Sequence, residues 1–554
     1  MFVVRTMARR GLLNPGHPVR IVRQFAALGR WGFGLAGELR QAAARSPGRV
    51  AVIDEKGPTT YAHLLNRSSR LAAALPFGPG DRVGLLRRNS ASMVESLIAV
   101  TQIGADPVLM NTGLSAAQLA VVVENQQLSG LIYDDEFAAA LPSVREPAAH
   151  SSTGEPIAAE GLSTGCRHDL GVLGFDGSLG GGPPLGGRGL RSGAFLGEGE
   201  LERLIAESGD VGVLRPPVRA GRTIVLTSGT TGTPKGARRP TPGGFSPLCS
   251  IIDRIPLRAG VRVLIAAPLF HTWGFAALQI AIALRATIVL RRRFEPGDAL
   301  DTVAREKCSA LIGVPVMVQQ IMEQPVRDVP LSVVAVSGSA LPGGLATRFM
   351  DRYGDILYNL YGSTEASWAS IATPADMRAA PSTAGRPPHG TVVRVLDEEG
   401  GPVPAGETGR LFVGNEMLFE GYTNASSGDV HDGLLATGDV GHLDEAGRVF
   451  IDGRADDMIV SGGENVFPSE VENLLADLPQ VREVAVIGVP DEKYGQRLAA
   501  YVVPRDGATL DEDQIREHVR SHRARFCVPR DVVFLKALPR NATGKVLTRD
   551  LPRP

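Results

Sequence analysis

Leu226-Thr227-Ser228-Gly229-Thr230-Thr231-Gly232-Thr233-Pro234-Lys235-Gly236 is a stretch suited to holding an anion. Its glycines let the backbone turn and approach a ligand closely, its hydroxyls and N–H groups donate hydrogen bonds, and Lys235 adds positive charge. That combination fits the phosphates of a nucleotide. A Walker-type loop of kinases and ATPases needs a Gly-Lys pair followed by Ser or Thr at the opening of a helix. Here Lys235 follows Pro234 and precedes Gly236, and proline keeps itself and its predecessor in extended or turn backbone. The Walker reading fails on this spacing. Taken alone, the segment also reads as a Ser/Thr/Gly-rich hairpin turn.

On both sides of this loop, strand-like apolar runs alternate with helical patterns. Strands are expected at 82–86, 106–110, 263–267, 284–290, 310–314 and 333–337, and a helix at 91–103. Such alternation predicts parallel α/β layers. Near Leu411 the pattern changes to short β segments between Gly and Asp turns, ending at Gly453-Arg454; beyond it 471–478 reads as a helix and 484–489 and 498–503 as strands. The expected fold is therefore α/β and α+β multidomain: a large N-terminal body of layered α/β subdomains with a β-rich subdomain, then a small mobile C-terminal α+β domain. The expected divisions are a basic extension at 1–38, a body at 39–453 and a C-terminal domain at 454–554. Residues 146–199 are rich in Gly, Pro, Ser and Arg and keep neither period, which predicts a mobile loop. A local reading-frame error in a GC-rich gene is the alternative, decided by re-reading the gene.

With 554 residues the chain exceeds one ordinary core. Lys+Arg 58 against Asp+Glu 59 gives no field that would attract nucleic acid, so a small-molecule substrate is expected. Cys166, Cys249, Cys308 and Cys527 are widely spaced and lack zinc-site pairing, which predicts reduced thiols in a cytoplasmic protein. Arg5, Arg9, Arg10, Arg20 and Arg23 surround short apolar stretches without the apolar core or cleavage site of a secretory signal. Residues 21–39 read as a solvated helix leading into the body, with a basic amphipathic anchor on a membrane surface as the alternative. The apolar run 263–290 is interrupted by Pro268, His271 and Arg285, and is expected to be buried rather than membrane-spanning.

The 226–236 loop resembles the signature of the adenylate-forming superfamily, which includes acyl-CoA synthetases, firefly-type luciferases and the adenylation domains of peptide synthetases. The resemblance continues in the family's order from about Leu39 onward: Pro268-Leu269-Phe270-His271, Tyr358-Asn359-Leu360-Tyr361-Gly362-Ser363-Thr364-Glu365, Thr437-Gly438-Asp439, Gly453-Arg454-Ala455-Asp456-Asp457 with Ser461-Gly462-Gly463-Glu464-Asn465, and Pro539-Arg540-Asn541-Ala542-Thr543-Gly544-Lys545.

In that family a carboxylate attacks the α-phosphorus of ATP, releasing pyrophosphate and leaving an acyl-adenylate whose carbonyl carbon is activated. Positioning and electrostatic stabilisation suffice for this step, so no Ser-His-Asp set is required. The resemblance implies that Thr227, Ser228, Thr230 and Lys235 hold the β and γ phosphates, that Gly229, Thr231 and Gly232 of the same loop bind the nucleotide with them, that Thr364 contacts the α phosphate, and that Glu365 binds Mg²⁺. It further implies that Tyr361, beside Gly362, stacks on adenine, that Gly338-Ser339-Ala340 forms the adenine-edge loop, and that Asp439, assisted by Arg454, binds the ribose hydroxyls. Lys545 would be the adenylation lysine, Asp456 the hinge of a pivoting C-terminal domain, and Gly462-Gly463 the region brought in for the CoA step. His271 takes the family's place near the acyl pocket, which Trp273 and Phe275 are expected to line; a packed core histidine is the competing reading. The branch implied is a fatty acyl-CoA synthetase of lipid metabolism, taking a medium- or long-chain acid, ATP and CoA. The alternatives are a fatty acyl-AMP ligase serving a carrier protein and a non-catalytic acyl- or nucleotide-binding relative.

Overall fold

The computed structural model describes residues 1–141, 195–209, 211–212, 214–227, 234–424, 428–461, 464–541 and 544–554. Most of the 146–199 segment therefore lies outside the described residues. Its end does not: Phe195–Leu196 is a strand paired with Gly130–Tyr133, and Glu198–Glu207 is a helix. The irregular stretch expected to reach Gly199 thus gives way to regular structure at Phe195.

Two largely parallel sheets form the body. In the first the strand order is Phe195–Leu196, Gly130–Tyr133, Arg82–Leu86, Asp106–Leu109, Ile224–Thr227, Lys235–Arg238, with only the last pair antiparallel. In the second it is Ser370–Ala372, Leu357–Tyr361, Val333–Ser337, Ala310–Gly313, Arg262–Ile265, Thr287–Val289, Val50–Asp54, Gly57–Thr60, parallel at the centre and antiparallel at both edges. The central strands are buried along their whole length, as in Val333–Ser337, which is why they read as continuous apolar runs without alternation. In register, Ile312 pairs with Ile265, Val336 with Gly313 and Leu360 with Ser337. The loops after these strands therefore emerge at one edge of the sheet, where ligands of open α/β sheets bind.

The β-rich part is an antiparallel sheet that starts at Val392–Leu396, earlier than the sequence pattern indicated, and includes Gly409–Gly414, Leu434–Leu443 and Val449–Arg454. Arg454 closes this sheet and so belongs with it, one residue past the expected boundary. A fourth sheet, built from Ile459–Ser461, Glu464–Val466, Val481–Asp491, Gly495–Pro504 and Asp531–Phe534, packs against the helices Pro468–Ala476 and Glu512–His522. It touches the body where Gln319 Nε2 donates to the Arg482 carbonyl at 2.6 Å and Ser469 Oγ to that of Asp452.

The first 38 residues are not an appendage. They form the helices Phe2–Arg9 and Pro18–Trp31 and the start of Leu35–Arg45. The single helix expected over 21–39 is broken at Gly32, whose φ of +72° is easily reached only by glycine. Arg10 is turned inward, its Nε 2.8 Å from the Ile252 carbonyl. Gln24 Nε2 donates to Gln41 Oε1 at 2.8 Å and Gln41 Nε2 to Glu38 Oε2 at 3.0 Å, a buried polar chain that fastens the second helix to the third. No helix among the described residues is long and apolar enough to cross a membrane. Cys249, Cys308 and Cys527 are unpaired and buried, and Cys166 lies outside the described residues.

Burial pushes the Glu38 carboxyl up to about 8, against which the Gln41 hydrogen bond and the Arg285 charge act only in part. The folded chain thus keeps a proton that the unfolded chain releases near its ordinary value of 4.5, so this group's contribution to stability falls as pH rises through that window, by about 1.4 kcal/mol per unit. Glu38→Gln removes the ionisation. Its melting temperature should overtake that of the wild type progressively toward a pH of about 8, with no gap in acid. Parallel pH profiles of the two proteins would rule out Glu38 as the source.

Candidate active site

The 226–236 stretch joins two antiparallel strands, Ile224–Thr227 and Lys235–Arg238. Thr227 pairs with Lys235 across its two strands, and Thr227 Oγ1 donates to the Lys235 carbonyl at 3.3 Å. A strand-loop-strand arrangement excludes the Walker loop directly. The pairing also meets the hairpin reading of the segment. Ser228, Gly229, Thr230, Thr231 and Gly232 fall outside the described residues.

Below the tip a network absent from the sequence reading fixes the central turn. Lys235 Nζ stands 5.5 Å from the Tyr422 ring centroid, and Tyr422 donates its hydroxyl hydrogen to Glu365 Oε1 at 2.7 Å. Burial and the Glu365 charge raise the Tyr422 phenol, keeping it a donor. Arg239 is buried; it donates to the Thr364 carbonyl and, at 2.6 Å, to Ser367 Oγ. Burial pulls the Arg239 guanidinium down to about 10, opposed by the Glu365 charge, so it remains a cation at neutral pH. Ser367 holds a φ of +63°, and its hydroxyl donates to the Met417 carbonyl. Ser363 Oγ accepts the amides of Glu365 at 3.2 Å and Ala366 at 3.0 Å. The Thr364 hydroxyl meets that of Thr272 at 2.8 Å. Arg239 was legible in one respect: period-2 alternation carried one residue past the strand Lys235–Arg238 puts it in phase with Lys235. Tyr422 and Thr272 gave no comparable signal.

Glu365 suits a divalent cation shared with phosphates. It forms no ion pair among the described residues, its second carboxylate oxygen is not taken by Tyr422, and no group of three acidic, His or Cys side chains there could cage a metal by itself. Mg²⁺ is characteristically held by one or two carboxylates with substrate phosphates completing its shell, so the residues present fit it.

On the other side, Asp439 lies opposite Arg454 in the antiparallel register, with Arg454 NH1 3.4 Å from Asp439 Oδ1. The Tyr361 hydroxyl donates to Asp439 Oδ2, so this ring is fixed by its polar end. Burial raises the Asp439 carboxyl, tempered by the Tyr361 hydrogen bond and the Arg454 charge. Arg454 Nε also donates to Asp456 Oδ1 at 3.0 Å, joining the proposed ribose carboxylate to the proposed hinge. Gly338, Ser339 and Ala340 are exposed immediately after the Val333–Ser337 strand, and Gly338 turns there with φ +105°.

His271 caps the helix Thr272–Ala283 beside this loop: a Cβ added to Gly338 would sit 3.5 Å from His271 Cε1. Its Nδ1 is shielded and without a hydrogen-bond partner among the described residues, and burial pulls the imidazole down to about 4. It is therefore neutral at physiological pH. From Thr272 this helix runs away from the turn. Phe275 and Gln279, three and seven positions on and so on the same face, line a cavity of about 320 Å³ with Arg239, Thr223, Trp31 and Arg30. Trp273, Ala277 and Ala281 line a narrower apolar slot of about 10 Å³, and Trp273 Nε1 donates to the Gly313 carbonyl at 3.1 Å.

Lys545 is exposed on a tight hairpin. Asn541 Oδ1 accepts its amide at 2.9 Å, Arg540 NH1 donates to the Gly544 carbonyl at 2.6 Å, and Gly544 turns with φ +82°. A Cβ on Gly544 would lie 2.4 Å from Val316 Cγ1 and 3.8 Å from Val314, the latter also 3.8 Å from a Cβ on Gly338. The lysine hairpin thus rests on the body beside the loop that holds Gly338. Gly462 and Gly463 lie outside the described residues.

This fold and this constellation define an adenylate-forming enzyme. Residues 39–423 match the AMP-binding enzyme family and residues 470–545 its C-terminal domain, so the chain belongs to the AMP-binding enzyme family. It is 32% identical to an indoleacetate–CoA ligase of Aromatoleum aromaticum, across 91% of this chain and 95% of that protein. It is 28% identical to the long-chain-fatty-acid–CoA ligase FadD13 of Mycobacterium tuberculosis, across 92% and 96%. The solved o-succinylbenzoate CoA synthetase of Bacillus subtilis, in complex with its acyl-adenylate intermediate, superposes with a TM-score of 0.75 at 25% identity, covering 93% of this chain and 98% of that one. ATP-dependent acid–CoA ligation through an adenylate is the chemistry these relatives support.

If Asp439 accepts the ribose hydroxyls, Asp439→Ala removes charged hydrogen bonds worth about 1.5–3 kcal/mol each. ATP-dependent kcat/KM should fall roughly ten- to hundredfold or more. A folded variant with unchanged ATP kinetics would place the ribose elsewhere.

Proposed function

We propose that the protein joins a carboxylic acid to CoA at the expense of ATP, giving acyl-CoA, AMP and pyrophosphate. The observation that carries this reading is the seat of the Lys545 hairpin on Val314 and Val316, beside Gly338 and the buried His271. From this seat Lys545 would bring an ammonium on a flexible stem to the edge where an α-phosphate and a carboxylate would meet. A carboxylate oxygen attacks the α-phosphorus, the bond to the bridging oxygen breaks, and pyrophosphate leaves with that electron pair. Lys235 and the hairpin tip would hold the departing phosphates, Thr364 the α-phosphate, and Asp439 with Arg454 the ribose. Mg²⁺ held at Glu365 would neutralise phosphate charge. In the second half-reaction the CoA sulfur attacks the carbonyl carbon and AMP departs. We assign the pivot between the two steps to Asp456, whose partner Arg454 anchors the neighbouring sheet, and the CoA side to Gly462-Gly463.

The cavity bears on the acid. Its volume of about 320 Å³ sits at the small end of the range for ligand sites, and its lining mixes Phe275 and Trp31 with Thr223, Gln279 and Arg239. The apolar slot beyond Trp273 is too small for a chain to enter without displacement. Of the medium- or long-chain acids expected from the sequence, these dimensions favour the medium-chain ones, and they admit a compact aryl-substituted acid as well. A series of acids of graded length and aromatic content, assayed with ATP and CoA, tests it; highest kcat/KM on long-chain acids would reverse the preference.

Lys545→Ala should separate the half-reactions. Acid-dependent pyrophosphate release should collapse, by about 3–4 kcal/mol if comparable to loss of one oxyanion-hole donor. Thioester formation from a supplied acyl-adenylate should survive much better. Equal loss of both in a folded variant would make Lys545 a structural residue.

A further inference from the structure

We propose that the outer face of the Pro18–Trp31 helix docks the protein onto an anionic lipid bilayer. The inner face is already used: Gln24 and Leu28 are buried, Gln24 is tied to Gln41, and Trp31 is covered by the Arg40 guanidinium 3.8 Å from its ring centroid. On the opposite side Val19, Val22 and Phe25 are exposed by 49%, 67% and 50%, with Ala26 and Gly29 completing the stripe. Arg20, Arg23 and Arg30 flank it and are exposed. Six of the fourteen exposed large apolar side chains among the described residues lie in the first 25 positions, so the apolar exposure is concentrated rather than scattered. Residues 1–37 contain six arginines and no Asp or Glu. Arg9 is neutralised by Asp253 and Arg10 faces inward, leaving Arg5, Arg20, Arg23 and Arg30 toward solvent.

An apolar stripe bordered by arginines is the composition of a helix that lies in a bilayer interface, its apolar side chains entering the acyl boundary while the cations meet anionic headgroups. At 14 residues the helix is about 21 Å long and lies on a membrane rather than crossing it. A second copy of this face is the poorer occupant, because it would bring like-charged arginines together. The patch continues past Arg30 and Trp31 to Val218, a wholly exposed valine that shares the lining of the 320 Å³ cavity with them. The docked face therefore includes the cavity rim.

Sedimentation of the full chain with vesicles of phosphatidylcholine, alone or mixed with phosphatidylglycerol, tests this surface independently of any ligase activity. The protein should pellet with the mixed vesicles, release as salt is raised, and stay in solution with phosphatidylcholine alone. V22E/F25E should weaken mixed-vesicle binding at least tenfold while keeping the wild-type melting temperature and ATP-dependent activity on a water-soluble acid. Failure of the wild type to bind either vesicle, or undiminished binding by V22E/F25E, overturns the proposal. So does light scattering that shows a wild-type dimer, dissociated by V22E/F25E, without vesicle binding.

Discussion

A buried guanidinium holds this site together. Arg239 leaves the end of the hairpin in which Thr227 pairs with Lys235, which belongs to the first sheet, and donates to the Thr364 carbonyl and the Ser367 hydroxyl on a turn that follows the second. Removing it would leave the Thr364 carbonyl without this donor in the interior, a cost of roughly 1–3 kcal/mol, while the Ser367 hydroxyl would keep only its bond to the Met417 carbonyl. More importantly, the hairpin and the Thr364–Glu365 turn would lose their common reference. Groups carried by separate sheets keep a fixed relation only if something rigid spans them, and the Arg239 guanidinium does so with two hydrogen bonds.

Charge explains the layout around it. Lys235, Arg239 and Arg454 are each placed against an acceptor or a ring: Tyr422, the Thr364 carbonyl, and the Asp439 and Asp456 carboxylates respectively. Positive charge is thereby held at fixed positions, an arrangement that limits reorganisation when an anion is bound. Tyr361 and Tyr422 act alike, each donating to an acidic side chain that the sequence motifs name, Asp439 and Glu365.

Much of this was legible in the chain. The strands Arg82–Leu86 and Val333–Ser337 agree with the sequence reading at both ends, because strands covered on both faces are uninterrupted apolar runs bounded by polar residues. The motifs stand out in the chain because glycines and hydroxyls are the residue types suited to backbone that turns against a ligand. What stayed hidden was relational. Tyr422 lies in no motif of the reading, and its role comes from a strand-like alignment with Ala237 made only in three dimensions. The helices of the first 38 residues were underestimated because their inner faces are polar as well as apolar: Arg10 and Gln24 make buried hydrogen bonds that no hydrophobic period announces. The expected single helix over 21–39 failed on Gly32, whose backbone conformation ends one helix just before the next begins.

The way the first fifty residues are anchored has a consequence for synthesis. Val50–Asp54 takes its parallel neighbour from Thr287–Val289, and Arg10 finds its carbonyl acceptor 242 positions downstream. On the ribosome, then, the first strand has only its local partner Gly57–Thr60, and Arg10 lacks its acceptor, until about half of these 554 residues have been made. Such distant pairing slows folding and leaves apolar strand edges waiting in the nascent chain. Extra length between the two partners adds little to the closure entropy, which grows only with the logarithm of the loop. The vulnerable interval is therefore set by translation time to residue 289, and a chaperone that shields the early strands would have its greatest effect before that point.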